Sequence, residues 1–106
     1  MNFAVAVETR DDCLVVRVDG ELDMANVESF EGALAVNPSS SHVVIDLSGC
    51  TFLDSTGMRA IAASVRQADR VSIVATEPGI LRVLEITALD TMVSIRPSLD
   101  DALAPG

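Results

Sequence analysis

The sequence predicts an α/β domain with a mixed five-stranded sheet and about four helices, in the order β-β-α-β-α-β-α-β-α. Three observations lead to this fold class. Short β-branched runs such as residues 43–45 alternate along the chain with amphipathic stretches. After that run, apolar residues recur at helical spacing at Met58, Ile61, Ala62 and Val65. The 106 residues, 49% of them hydrophobic, suffice for one compact domain spanning residues 1–106.

Five short segments have the composition of strands. They alternate with a period of two or are rich in β-branched residues, and turn-forming residues bound them. The expected strands cover residues 3–8, 13–19, 43–47, 71–75 and 92–95. Asp11-Asp12 indicates a turn between the first two strands, so these are predicted to be antiparallel neighbours.

Four segments that follow these strands are predicted to be helices. They cover residues 24–36, about 56–68, 78 to about 87, and a short stretch after Ser98. Pro78 suits the first position of the third helix, and Ser98 with Asp101 resembles a capping pair for the last one. Residues 37–41, which contain a proline and three serines, predict a loop.

The predicted topology places the ends of four strands on one side of the sheet. In parallel strands the carboxyl ends lie along one edge, where open α/β sheets bind their ligands and partners. The loops after strands two to five carry Asp23, Ser55, Thr76 and Ser98. These loops are therefore expected to share one rim, although they span most of the sequence.

The segment Asp54-Ser55-Thr56-Gly57 lies where the third strand passes into a helix. The first turn of a helix has free N–H groups and a partial positive charge, so a hydroxyl there is well placed to carry a phosphate. Residues 42–62 closely resemble the signature of the STAS domain in bacterial anti-sigma factor antagonists, which carries Asp-Ser-Ser/Thr-Gly after its central strand. Gly20-Glu21-Leu22-Asp23 resembles the GELD turn of this family, and residues 76–89 resemble its third-helix segment.

The resemblance implies a partner switch with no catalytic activity and no cofactor. Ser55 corresponds to the residue that the anti-sigma factor, a serine kinase, phosphorylates in this family, and a phosphatase resets the switch. The unphosphorylated protein binds the anti-sigma factor and frees the sigma factor. Asp23 is expected near the phosphorylated serine. The predicted partner-binding residues are Asp23, Asp54, Ser55, Thr56 and Gly57.

Each of these residues also has a structural interpretation. Ser55 could cap the helix, a position for which Ser and Asp are both preferred, and Thr56 could be the first helical residue, without a function. Asp23 could cap the helix predicted from residue 24, or it could belong to the contact surface. Asp54 is expected to support the turn, and Gly57 to permit close packing of the helix on the sheet.

Charge and hydropathy exclude two classes of partner. The net charge of −9 and the lack of lysine argue against nucleic acid, because phosphate contacts need clustered Arg and Lys. The N-terminal segment has neither a basic region nor a long apolar run, so no signal peptide or membrane anchor is expected. A cytoplasmic protein without a membrane partner is predicted.

The residues around Ser55 do not suit an enzyme or a metal site. A hydrolase serine needs a histidine base within reach, yet His42 starts the strand that leads toward Ser55, roughly 20 Å away at ~3.3 Å per residue. The sequence contains no G-x-x-x-x-G-K phosphate loop, and one His with two distant Cys cannot form a zinc site. Cys13 and Cys50 are expected too far apart for a disulfide and therefore free.

Two alternatives share the predicted fold. A STAS subunit of a transport or stress-signalling complex would use the hydroxyl as a contact rather than as a phosphoacceptor. A small-molecule or nucleotide sensor would bind its ligand at the same rim. The intact Asp54-Ser55 pair favours the phosphorylated adapter over the first alternative, and the lack of a Gly-rich phosphate loop argues against the second.

Overall fold

Five strands and four α-helices alternate along the chain in the predicted order. The computed structural model describes residues 3–10, 12–36 and 40–104. The strands are β1 (Phe3–Arg10), β2 (Cys13–Leu22), β3 (His42–Leu53), β4 (Arg70–Val74) and β5 (Ser94–Arg96). The helices are α1 (Val27–Leu34), α2 (Ser55–Gln67), α3 (Pro78–Ile86) and α4 (Leu99–Leu103), with a 3-10 turn at Leu89–Thr91.

The five strands form one mixed sheet in the order β1-β2-β3-β4-β5. β1 is antiparallel to β2, and each later pair of neighbours is parallel. The predicted fold class and the antiparallel first pair are therefore confirmed. Asp11 of the predicted turn and residues 37–39 of the predicted loop lie outside the described residues.

The helices cover the two faces of the sheet unequally. α1, α2 and α3 share the main core, whose fully buried members include Phe30, Ile61 and Leu84. α4 packs on the other face, where Ala102 joins a smaller cluster with Val15 and three further strand residues. The main core therefore holds α1 and α2 together against the sheet, next to the ends of β2 and β3.

β3 ends at Leu53, six residues later than predicted. Ser48-Gly49 has the composition of a turn, but two β-bulges let the strand continue beside β2. The buried Asp46 carboxylate accepts the backbone N–H of Ser48 at 3.0 Å and its hydroxyl at 2.7 Å, which satisfies polar groups next to the first bulge. A Cβ at position 49 would overlap the Asp19 carboxylate, so a larger residue there would have to displace that half-exposed side chain.

The extension of β3 separates the loops that were expected on one rim. The last residues of β2 and β3 pair with each other, whereas the last residue of β4 pairs with Asp46, seven residues before the end of β3. The loops that carry Thr76 and Ser98 therefore begin nearer the N-terminal end of β3 than the loops that carry Asp23 and Ser55. The predicted single rim is corrected to one shared by Asp23 and Ser55 alone.

Other boundaries also differ from the prediction: β1 runs two residues further, to Arg10, and α1 ends two residues earlier, at Leu34. β2 continues to Leu22, so the first three residues of the GELD segment belong to a strand rather than a turn. α1 begins at Val27, because residues 24–26 form a turn. β5 begins at Ser94, because the two N–H groups before it donate to the Leu89 carbonyl. α2, α3 and β4 agree with the prediction to within one residue.

Candidate functional site

Asp54 caps the helix that carries the Asp-Ser-Thr-Gly motif. Its Oδ1 accepts the backbone N–H of Gly57 at 2.9 Å, and its carbonyl accepts the N–H of Met58 at 3.0 Å. Ser55 is the first helical residue and Thr56 the second, so the capping interpretation of Ser55 and the first-position interpretation of Thr56 are both wrong. The prediction that Asp54 supports the turn is confirmed, because its carboxylate satisfies a first-turn donor at the positive end of the helix.

The second carboxylate oxygen of Asp54 joins the motif to the loop after β2. Oδ2 accepts the backbone N–H of Met24 at 3.1 Å, and the N–H of Asp54 donates to the Leu22 carbonyl at 3.3 Å. The hydrogen bond from Gly57 lowers the pKa of Asp54 most strongly, desolvation opposes this, and the bond from Met24 adds to it. The ionised carboxylate thus holds the β2–α1 loop against the start of α2.

Asp23 lies in the loop that Asp54 holds. Its Oδ1 accepts the backbone N–H of Ala25 at 3.0 Å, which closes a turn, and the side chain of Asn26 accepts the N–H of Asp23 at 2.9 Å. α1 begins only at Val27, so the expectation that Asp23 caps this helix is wrong. The residue is half-buried beside the motif, and its role in a contact surface stays a prediction.

Gly57 lies where α2 approaches β2 most closely. A Cβ at this position would lie 2.8 Å from the carbonyl oxygen of Leu22 and 3.1 Å from its Cγ. The close packing of helix on sheet predicted for this glycine is confirmed. Gly57 is itself buried. The lack of a side chain at position 57 lets the first turn of α2, which includes Ser55, lie close against the end of β2.

The Ser55 side chain is exposed on the first turn of α2. Within the described ranges its hydroxyl forms no hydrogen bond, and neither does the hydroxyl of the half-buried Thr56. The positive end of the helix favours added negative charge at this position. Ser55 therefore combines an accessible hydroxyl with a backbone environment that suits an anion.

Two exposed apolar side chains lie at the same end of the sheet, and neither was singled out from the sequence. Met24 is 75% exposed in the loop bound to Asp54, and Phe52 is 48% exposed near the end of β3. Phe52 pairs with the exposed Glu21 of β2. Following the strand alternation to the true end of β3 would have identified Phe52 as a residue that faces away from the main core. We call the surface formed by Glu21, Asp23, Met24, Phe52 and Ser55 the motif face.

His42 lies at the opposite end of β3 from Ser55, which confirms the predicted separation of the two residues. Its Nε2 lies 2.9 Å from the hydroxyl oxygen of Ser72. Burial, and to a smaller extent Arg70, lowers the pKa of His42. The imidazole therefore belongs to the start of the strand and does not reach the motif face.

Cys13 and Cys50 are both buried free thiols. Cys13 pairs with His42 at the start of β3 and Cys50 pairs with Gly20 near its end, which confirms their predicted separation, although Cys50 lies within β3 and not after it. In the part of the chain that the structure describes, no three metal-ligating side chains form a cluster. Among those same residues, no helix is long and apolar enough to cross a membrane.

Solved structures share this architecture. The crystal structure of an anti-sigma factor antagonist from Mycobacterium paratuberculosis is 36% identical, with a TM-score of 0.88 over 96% of this chain and 92% of that chain. SpoIIAA from Bacillus, in its phosphorylated form, shares the fold at 18% identity, with a TM-score of 0.75 over 94% of this chain and 96% of that chain.

The sequence has the corresponding relatives. The anti-sigma-F factor antagonist RsfB of Mycobacterium tuberculosis is 29% identical over 96% of this chain and 88% of its own length. The model of the STAS domain family matches residues 4–102, which include every element from β1 to α4 in whole or in large part. The chain therefore belongs to the STAS-domain family of anti-sigma factor antagonists.

Proposed function

We propose that this chain binds an anti-sigma factor kinase while Ser55 is unphosphorylated and releases it once Ser55 is phosphorylated. Its named relatives are anti-sigma factor antagonists, which are regulatory proteins rather than enzymes. The observation that carries the proposal is the exposed Ser55 hydroxyl on a helix whose cap Asp54 already supplies. Because Ser55 is not needed for capping, its hydroxyl is available for modification.

The proposed contact surface is the motif face together with the first turn of α2. The partner-binding residues in this proposal are Asp23, Asp54, Ser55, Thr56 and Gly57, as predicted from the sequence. Asp54 and Gly57 act by positioning, since one bonds two backbone N–H groups and the other packs against β2. Met24 and Phe52 add exposed apolar surface of the kind that protein partners bury.

The modification is a transfer of the γ-phosphoryl group of ATP to Oγ of Ser55. The Oγ–P bond forms, the bond from the γ-phosphorus to the bridging oxygen of ADP breaks, and the hydroxyl proton passes to a base of the kinase. A phosphatase restores the hydroxyl by hydrolysis and releases inorganic phosphate. We place both reactions in the cytoplasm, where ATP is available.

The phosphate is expected to act on binding rather than on folding. It adds about −1.5 to −2 charge at pH 7, which the first turn of a helix tolerates well. SpoIIAA, a protein of the same fold, is known in a phosphorylated form, so the fold accommodates the modification. On the motif face the same charge lies beside Asp23 and Met24, where it repels acidic groups of a partner and resists desolvation.

Labelling with the cognate kinase tests the proposal. Proteins that co-purify with the chain are incubated with it and ATP, and the modified peptide is mapped. We expect phosphate on Ser55 alone, no labelling of Ser55→Ala, and normal labelling of Thr56→Ala. Undiminished labelling of Ser55→Ala would contradict the proposal. Equal affinity of the phosphorylated and unphosphorylated chains for the partner would instead support a STAS subunit that is not switched.

A further inference from the structure

One cationic side chain lies a single helical turn after Ser55. α2 runs without interruption from Ser55 to Gln67, so Arg59 follows Ser55 at i+4. Residues at this spacing have Cβ atoms about 5–6 Å apart, and helical side chains lean toward the N-terminus. The side chain of Arg59, which is exposed, is therefore directed over the surface around the Ser55 hydroxyl.

Arg59 has no carboxylate partner on its own helix. α2 contains no Asp or Glu, and the residues three or four positions from Arg59 are Ser55, Thr56 and two alanines. The ion pairs found within the described ranges involve Arg10 and Arg17 of the sheet, not Arg59. The side chain at i−4, where an acidic residue would stabilise the helix, is that of Ser55.

We propose that Arg59 binds the phosphate of phosphorylated Ser55 within the same chain. This inference rests on the proposed phosphorylation of Ser55. A guanidinium can donate two parallel hydrogen bonds to a phosphate, whereas the unmodified hydroxyl offers it no charge. The first-turn N–H groups of α2 attract the same anion from the helix end. Arg59 thereby favours the dianionic form of the phosphate.

Phosphoserine installed at position 55 during protein synthesis gives a test that does not depend on the kinase. The second pKa of the phosphate, ordinarily about 6, is measured by phosphorus NMR. We expect Arg59→Gln to raise this pKa by roughly 0.15–0.4 at low salt, and about 1 M salt to reduce the difference. Arg66→Gln is the matched control, because Arg66 is exposed on the same helix about two turns further along.

The outcomes separate this inference from the proposed function. A phosphoserine pKa that is equal in the unchanged protein and in Arg59→Gln would overturn the inference. An equally large effect of Arg66→Gln would also overturn it, because the cause would then be the general charge of the helix. The proposed function fails on other grounds, namely if the kinase does not label Ser55 or if the phosphorylated chain binds the partner normally. Thermal unfolding checks that both variants are folded.

Discussion

Asp54 caps α2 with one carboxylate oxygen and binds the loop after β2 with the other. Both hydrogen bonds come from backbone N–H groups, so they are weakened whenever the carboxylate is protonated or replaced. The geometry around Ser55 therefore depends on the ionisation of a neighbouring side chain. This dependence can be measured through stability.

Asp54→Asn is expected to lower the free energy of unfolding at neutral pH and to make that free energy depend less on pH. The Gly57 N–H holds the pKa of Asp54 below its usual value in the folded state, so the stabilisation is fully present above the unfolded pKa of about 3.9. It is lost as the pH falls through the lowered folded pKa. Thermal unfolding at pH values from about 7 to 2 should show the two proteins converging in acid. A constant difference would contradict this account.

Gly57→Ala is expected to lower the free energy of unfolding by about 1–3 kcal/mol. The new Cβ would lie 2.8 Å from the carbonyl oxygen of Leu22, and that backbone is fixed in the sheet. Gly32→Ala is the control, because nothing lies within 4 Å of a Cβ in that exposed position of α1. There alanine should stabilise by up to ~1 kcal/mol. Urea unfolding of both variants makes the comparison, and a Gly57→Ala protein of normal stability would show that α2 can shift.

At the scale of elements, β3 shows why the sequence predicted most of the fold but not its details. Residues 43–45 are a β-branched run, and local pattern was sufficient to identify them as a strand. Ser48-Gly49 is turn-like by composition, so the strand was predicted to end before it. Along the continued strand, Asp46 accepts the N–H of Ser48, and the Asp19 carboxylate of the neighbouring strand lies against Gly49. No local pattern encodes that second contact.

The candidate site likewise has some features that the local sequence predicts and others that it does not. The helix start after Asp54 and the tight packing of Gly57 follow from residue types at a strand-to-helix junction, and both were predicted. The involvement of Met24 depends on a hydrogen bond between residues thirty positions apart, and the exposure of Phe52 depends on where β3 ends. Neither feature can be identified without knowing how the strands are arranged in the sheet.

Met24→Ala and Phe52→Ala are each expected to weaken binding to the anti-sigma partner by about 5–30-fold. Their side chains are 75% and 48% exposed, so thermal stability should change little. Ile86→Ala is the matched control, since it removes an apolar side chain that is 68% exposed at the end of α3, away from the motif face. Calorimetric titration measures the affinities. An equal loss in Ile86→Ala would show that the motif face is not the contact surface.

At the scale of the whole molecule, the chain carries a net charge of −9. Additional negative charge in so acidic a protein is unfavourable unless it is exposed or locally compensated. Ser55 is exposed at the positive end of a helix, so a charge there is expected to leave the fold intact. A partner that must approach this acidic end meets the added charge directly.

Ser55→Asp is expected to keep the fold and to weaken partner binding more than Ser55→Ala does. The aspartate places a carboxylate on the first turn of α2, where it interacts favourably with the helix, so circular dichroism should show normal helix content. The loss of affinity should be smaller than that caused by phosphate, because one carboxylate carries less charge. Calorimetry on both variants decides the matter. Equal affinities, with normal binding of the phosphorylated protein, would favour the unswitched structural subunit.

Met24 contributes only a backbone N–H to Asp54, and its side chain projects from the fold at 75% exposure. Any residue except proline can supply that N–H. The side chain at position 24 can therefore be exchanged while the hydrogen bonds of Asp54 beside Ser55 stay the same. Under the proposed function, such an exchange would change which partner surface fits the motif face and leave the phosphorylated position as it is.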